Sequence, residues 1–201
     1  MIEVNLAGLE AFRPYLTEFV GAASKAMSYA MNRVIPGKGR DLYIKDLEAG
    51  TAFPPGYLDE ARFGVTSLSS PDNLEVHFIA RDRPTSLARF INGGGYAGER
   101  NVTVTVNPGN SRQLKGSFTV NLPAGNGDGE GSNLGLAIRL KPGQVLRNKK
   151  DVGGLVYLAK NVVLLYGASI GQQFAFTEED DTPQVVDMIA DEFYRQFVRL
   201  A

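Results

Sequence analysis

Leu74-Glu75-Val76-His77-Phe78-Ile79-Ala80 places Leu74, Val76, Phe78 and Ala80 on one side of an extended chain and Glu75, His77 and Ile79 on the other. Alternation with one more apolar side is the pattern of a strand with a single buried face. Upstream the period is different. Between positions 14 and 34, Leu16, Phe19, Val20, Ala23, Met27, Ala30 and Val34 recur at helical steps, forming one face of a long helix. The pattern turns to strands from Phe63 and returns to a helix near the end of the chain. This order predicts an α+β fold, an antiparallel or mixed sheet on which a long N-terminal helix and a C-terminal helix pack.

Boundary residues refine the reading. Pro14 suits the first turn of the first helix, and Pro36-Gly37 ends it. A short helix follows from Arg40 to Glu48, with Leu42, Leu47 and either Tyr43 or Ile44 inward, closed by Gly50. The run Phe53-Pro54-Pro55-Gly56-Tyr57-Leu58 is apolar, yet adjacent prolines bar it from helix and central strand, so an ordered loop is expected. Further strands are expected at Ser86–Ile91, Asn101–Val106, Leu114–Leu122, Leu134–Leu140 and Val162–Tyr166, with glycine- and asparagine-rich turns among them. Thr182 reads as the cap of the last helix and Pro183 as its first residue, after the acidic stretch Glu178–Asp181. Val186, Ile189, Phe193, Phe197 and Leu200 form its apolar stripe. The 201 residues read as one domain, 1–201, with a glycine-rich hairpin at 124–132.

Composition excludes several classes. A formal net charge of -1 supplies no global field toward nucleic acid or an anionic membrane. The absence of cysteine removes disulfides, thiol nucleophiles and thiolate zinc sites together. No signal-peptide pattern opens the chain and no apolar run is long enough to span a bilayer, so a soluble protein made in the cytoplasm, with no membrane partner, is expected.

Candidate chemistry is sparse. His77 is the single histidine, so a histidine metal cluster is impossible, and its place on the less apolar side of a strand favours a surface imidazole over a general base. In Gly125–Gly131, Asn126, Asp128 and Glu130 alternate like calcium ligands, but Ala137 stands where an EF-hand needs a bidentate glutamate. The segments Gly93–Gly98 and Gly167–Gly171 lack the lysine and hydroxyl residue of a P-loop. Asp180-Asp181 and Asp187 with Asp191 read as helix-terminal and outer-face carboxylates. These readings predict no catalytic residue, no cofactor and no metal. A local basic stretch, Arg139, Lys141, Arg147, Lys149 and Lys150, keeps open an alternative: a nucleic-acid-binding module using residues 139–150.

Several phrases resemble a known family. Ala22-Ala23-Ser24-Lys25-Ala26-Met27 running on to Met31-Asn32-Arg33-Val34, then Arg83-Pro84-Thr85-Ser86-Leu87-Ala88-Arg89-Phe90, then Leu164-Leu165-Tyr166-Gly167-Ala168-Ser169-Ile170 with Gln173-Phe174, resemble the minor tail protein Z family of tailed bacteriophages. The final helix with Phe193, Arg195 and Phe197 is similar too, and Ala168 stands where the family phrase usually has proline. The resemblance spans most of the chain through short motifs. It implies a non-enzymatic virion protein of the tail or neck, made in the host cytoplasm and acting in tail completion and head-tail joining. It implies copies of itself in a sixfold ring, with tail, neck or connector proteins as neighbours and DNA passing through the lumen. A closed ring needs surfaces offered to a neighbour, for which Phe53 and Tyr57, and Tyr166, Gly167, Ser169 and Phe174, are the candidates. The alternative for both stretches is that each packs on its own core.

Overall fold

The computed structural model describes residues 13–122, 134–144 and 156–200, with side chains from residue 18 onward. The glycine-rich stretch 124–132 and the basic residues Arg147, Lys149 and Lys150 lie outside the described residues. One domain over 1–201 is expected; the contacts gather into two compact units, each built from separated stretches of chain. The first holds Met1–Ile44, Glu60–Ala80 and Thr177–Ala201, and the second holds Lys45–Asp59 and Arg81–Phe176. The fold class is α+β, and every strand pairing among the described residues is antiparallel.

In the first unit, helix α1 (Arg13–Val34) presents Ala26, Ala30 and Val34 as a buried line at four-residue spacing. The expected end at Pro36-Gly37 is found: Ile35–Gly39 form a wide turn in which Gly37 leaves helical geometry (φ -98°, ψ -111°), and α2 (Arg40–Gly50) starts beyond it. Of the alternatives at its inner face, Tyr43 is buried and Ile44 half-buried. Strand β1 (Phe63–Ser67) pairs with β2 (His77–Ala80), Phe63 opposite Ala80. The expected alternation holds only within β2, where Phe78 and Ala80 lie inward of His77 and Ile79; Leu74 precedes the strand and is exposed. The Phe78 ring meets Phe63 edge-on at 4.7 Å and Tyr43 at 6.4 Å. Gly64 is required here, since a Cβ would lie 2.5 Å from the Glu60 carbonyl oxygen.

A polar clamp closes the same unit. Ser69 donates its N–H to Asn32 Oδ1 at 2.8 Å, its carbonyl accepts from Asn32 Nδ2 at 2.9 Å, and its hydroxyl shares hydrogen bonds with buried Ser28. These bonds satisfy backbone groups that a non-helical, non-strand segment would otherwise bury unpaired.

The second unit carries the other strands. β3 (Thr103–Asn107) and β4 (Asn110–Gln113) form a hairpin around Pro108-Gly109, with Gly109 at φ 76°. β5 (Ser117–Asn121), β6 (Leu134–Arg139), β8 (Val162–Leu164) and β7 (Val156–Ala159) follow in that spatial order in a four-stranded sheet. Phe118, Val120 and Leu122 pack against Ala137, Val162 and Leu164 on one of its faces. The expected strand at Ser86–Ile91 is instead a 3-10 turn over Leu87–Phe90, because the Ser86 hydroxyl accepts the Ala88 N–H and caps it, leaving only the two ends to bridge, Ser86 to Tyr166 and Ile91 to Val104.

Helix α3 (Ile170–Leu200) departs most from expectation, beginning well before Thr182. Its cap is Ser169, whose hydroxyl accepts the Gln172 N–H at 3.0 Å while Gln172 Oε1 accepts the Ser169 N–H at 3.2 Å, a reciprocal capping box. Thr182 sits inside the helix and donates its hydroxyl to the Glu178 carbonyl at 2.6 Å, and Pro183 is likewise interior. The apolar stripe is also rotated. Val185, Asp181 and Glu192 face inward, while Val186 and Leu200 are exposed and Ile189, Phe193 and Phe197 half-buried.

Candidate functional site

The three stretches of the second unit that carry the family-like and apolar phrases converge. Phe53 and Tyr57, held in the proline loop, stack at 5.5 Å, and Phe53 approaches Phe90 at 5.9 Å. The Tyr57 hydroxyl reaches Thr85 Oγ1 at 3.4 Å, and the Arg89 guanidinium lies 5.9 Å from the Tyr57 ring centre. Thr85 in turn accepts the Gly167 N–H on its carbonyl at 2.7 Å, and Ser86 bridges to Tyr166. Ser169 donates its hydroxyl to Asp82 Oδ1 at 3.2 Å, and Thr51 donates to Gln173 Oε1 at 3.2 Å. The segments 51–58, 82–90 and 165–174 are therefore one hydrogen-bonded junction.

That junction distributes the six residues expected at a neighbour. Phe53 and Tyr57 are 8% and 7% exposed and belong to the aromatic cluster inside the unit, and Ser169 is fully buried as the helix cap. Gly167 and Phe174 are half-buried, and Tyr166 is exposed. The outward surface of the junction is thus carried by Tyr166 with the flanks of Gly167 and Phe174.

A second surface was not read from the sequence. On α3, Val186, Ala190, Tyr194 and Val198 follow one another at four-residue steps and all are exposed, Val186 at 55%, Tyr194 at 70% and Val198 at 61%. Steps of four on a helix trace a continuous ridge. Four apolar side chains in one ridge form a contiguous patch of the kind that marks interaction surfaces. The signal lay in the residue types at that spacing, hidden because Ile189, Phe193 and Phe197 offered a second, equally apolar line.

The inner side of the same helix explains how that ridge comes to face outward. Glu192 is buried and accepts a hydrogen bond from Gln196 Nε2 at 2.6 Å; Arg195 lies 3.2 Å and Arg33 of α1 3.6 Å from its oxygens. The Gln196 hydrogen bond, aided by the nearby Arg33, Arg195 and Arg199 charges, holds the Glu192 carboxyl below its ordinary value against the opposing effect of desolvation. A satisfied carboxylate occupies an inward position that an apolar residue would otherwise take.

The remaining candidates resolve as follows. The His77 side chain is exposed and its Nε2 lies 3.9 Å from the exposed carboxylate of Glu75. Among the described residues no group of three or more histidine, cysteine or acidic side chains is placed to hold a metal ion. Gly93, Gly94 and Gly95 adopt positive φ in a turn, and Gly171 lies in the first turn of α3. Arg139 and Lys141 are exposed at the end of β6 and in the turn after it. Among the described residues no helix is long and apolar enough to cross a membrane. No protein-family model, curated protein or solved structure matches this chain.

Proposed function

We propose that this chain is a non-enzymatic structural subunit of a tailed-bacteriophage virion, a tail-completion or neck component that joins the tail to the head-proximal connector within a homo-oligomeric ring. The ordered series of phrases that resemble minor tail protein Z supports the family. The exposed ridge of Val186, Ala190, Tyr194 and Val198 carries the assembly part of the reading, because a chain that spends apolar surface on a neighbour must leave such a ridge uncovered when alone. Tyr166, beside the junction of the Arg83–Phe90 and Leu164–Phe174 phrases, supplies a second contact. In a ring the two surfaces would meet as unlike patches, the heterologous arrangement that closes under rotation. The subunit is made in the host cytoplasm and resides in the tail or neck, where DNA passes through the lumen.

Mass photometry of the purified chain and electron microscopy of purified particles test this. The expected result is a closed ring, sixfold, present in the virion. A chain that stays monomeric at every concentration and is missing from the particle overturns the reading.

A further inference from the structure

On the sheet face of the second unit, an open concavity of about 430 Å³ is lined by Arg100, Asn101, Gly116, Phe118 and Arg139, among others. Strand register explains why two arginines flank one ring. Arg100 stands opposite Phe118 in an antiparallel bridge, and Phe118 stands opposite Ala137 of β6. Directly opposed residues share a face, and so do residues two apart along a strand, so Arg100, Phe118 and Arg139 all project to the same side. Among the described residues neither guanidinium is engaged by an ion pair or a hydrogen bond, and no acidic side chain lines the concavity. The adjacent Glu99 turns its carboxylate to the Tyr96 N–H, and Asn101 spends its side-chain oxygen on the Gly116 N–H at 2.8 Å. Asn101 does so at φ 52°, in the left-handed region, which fixes the rim next to Arg100.

We propose that this concavity binds single-stranded nucleic acid, with a backbone phosphate between Arg100 and Arg139 and one base against Phe118. Two guanidiniums offer donors and no acceptor, in the planar geometry that matches phosphate oxygens. An aromatic ring between them takes a base by its π-face, which any base possesses, so the site is sequence-tolerant. The volume suits a nucleotide unit rather than a folded partner. A duplex keeps its bases stacked inside and cannot offer one to Phe118. The site does not depend on the chain's place in a virion: a monomer never found in particles could still bind, and a ring subunit could fail to.

Fluorescence anisotropy on the whole chain at low salt tests the proposal, using labelled oligothymidylate of about 12 nucleotides, a length that covers a typical single-strand site. A duplex of the same length and inorganic pyrophosphate serve as competitors. Oligothymidylate is expected to bind, with the duplex a weaker competitor. Arg100→Gln and Arg139→Gln should each weaken binding by about tenfold and lower the salt slope by about 0.7. Phe118→Tyr should bind as the parent does, while Phe118→Leu should lose about tenfold. Thermal melting of each variant separates lost binding from lost folding; if Phe118→Leu melts early, the arginine pair and the two competitors decide alone. No binding of the single strand, binding that survives both arginine changes, or duplex and pyrophosphate competing as well as the strand overturns the proposal.

Discussion

The loop Phe53–Leu58 and the ridge Val186–Val198 are both apolar, and the protein treats them oppositely. The loop has no regular secondary structure and is nonetheless inside: Phe53, Tyr57 and Leu58 are buried, and the Tyr57 hydroxyl has a partner in Thr85. The ridge lies on the longest helix and is outside. Regularity of backbone therefore does not decide burial here; what the opposite face carries does. The loop has an aromatic neighbour in the 3-10 turn, Phe90, to pack against, whereas the inner line of α3 is already filled by Asp181, Val185 and Glu192. Turning the helix to bury Tyr194 would expose Val185 and strip Glu192 of Arg33.

Phe53→Ala should break the loop side of this contrast, costing about 3 to 5 kcal/mol because a buried ring leaves a cavity. Denaturant unfolding measures it, and a loss under 1 kcal/mol would mean that the loop does not hold the aromatic cluster together. Asn32→Ala leaves the buried Ser69 N–H unpaired, while the Ser69 carbonyl keeps the Ser28 hydroxyl, for a loss of about 1 to 3 kcal/mol by the same measurement. Ser169→Ala should lose about 1 kcal/mol through the α3 cap, whereas Asp82→Ala, which removes only the acceptor of the Ser169 hydroxyl, should lose less; an equal loss would assign the effect to the Asp82 contact instead. The ridge should behave as the inverse of the loop. Tyr194→Ser combined with Val198→Ser should shift unfolding by no more than about 0.5 kcal/mol per site, yet abolish self-association in mass photometry.

Acid sharpens the account of the inner line. Glu192 ionises more readily in the folded protein than in the unfolded chain, so its contribution is complete above the unfolded carboxylate range and is lost as pH falls through the lower folded value. Between about pH 6 and pH 3, Gln196→Ala should flatten the fall in stability relative to the parent, since it removes the main cause of the lowered value. Parallel acid titrations of the two proteins would argue against that assignment.

Much of this was legible in residue order, and the misses have identifiable causes. The helical step of Ala26, Ala30 and Val34, the Pro36-Gly37 break and the alternation at Phe78 and Ala80 survive because each is enforced by local geometry and burial together. Strand β4, Asn110-Ser111-Arg112-Gln113, has no apolar residue, and β7, Val156–Ala159, is exposed along its length, so neither leaves an alternating trace. The start of α3 was available in Ser169 and Gln172, but the Thr182-Pro183 pair imitates a helix start more loudly. A proline in a helix interior costs about 3 kcal/mol, and only tertiary contacts, invisible in sequence, decide that it is tolerated. At the candidate surfaces, residue type identified Tyr166 but could not distinguish it from Phe53 and Tyr57, because exposure is a property of the whole unit.

The first compact unit gathers residues 13–44, 60–80 and 177–200, whereas the second needs only 45–59 and 81–176. During synthesis on a ribosome, the second can therefore close while the first still waits for its last helix to emerge. Until then Gly39, which approaches Val185 in the finished unit, has nothing to close against. The nascent chain passes through an interval in which one half is native and the other holds open apolar surface, the stage at which a chaperone or a premature neighbour would engage it.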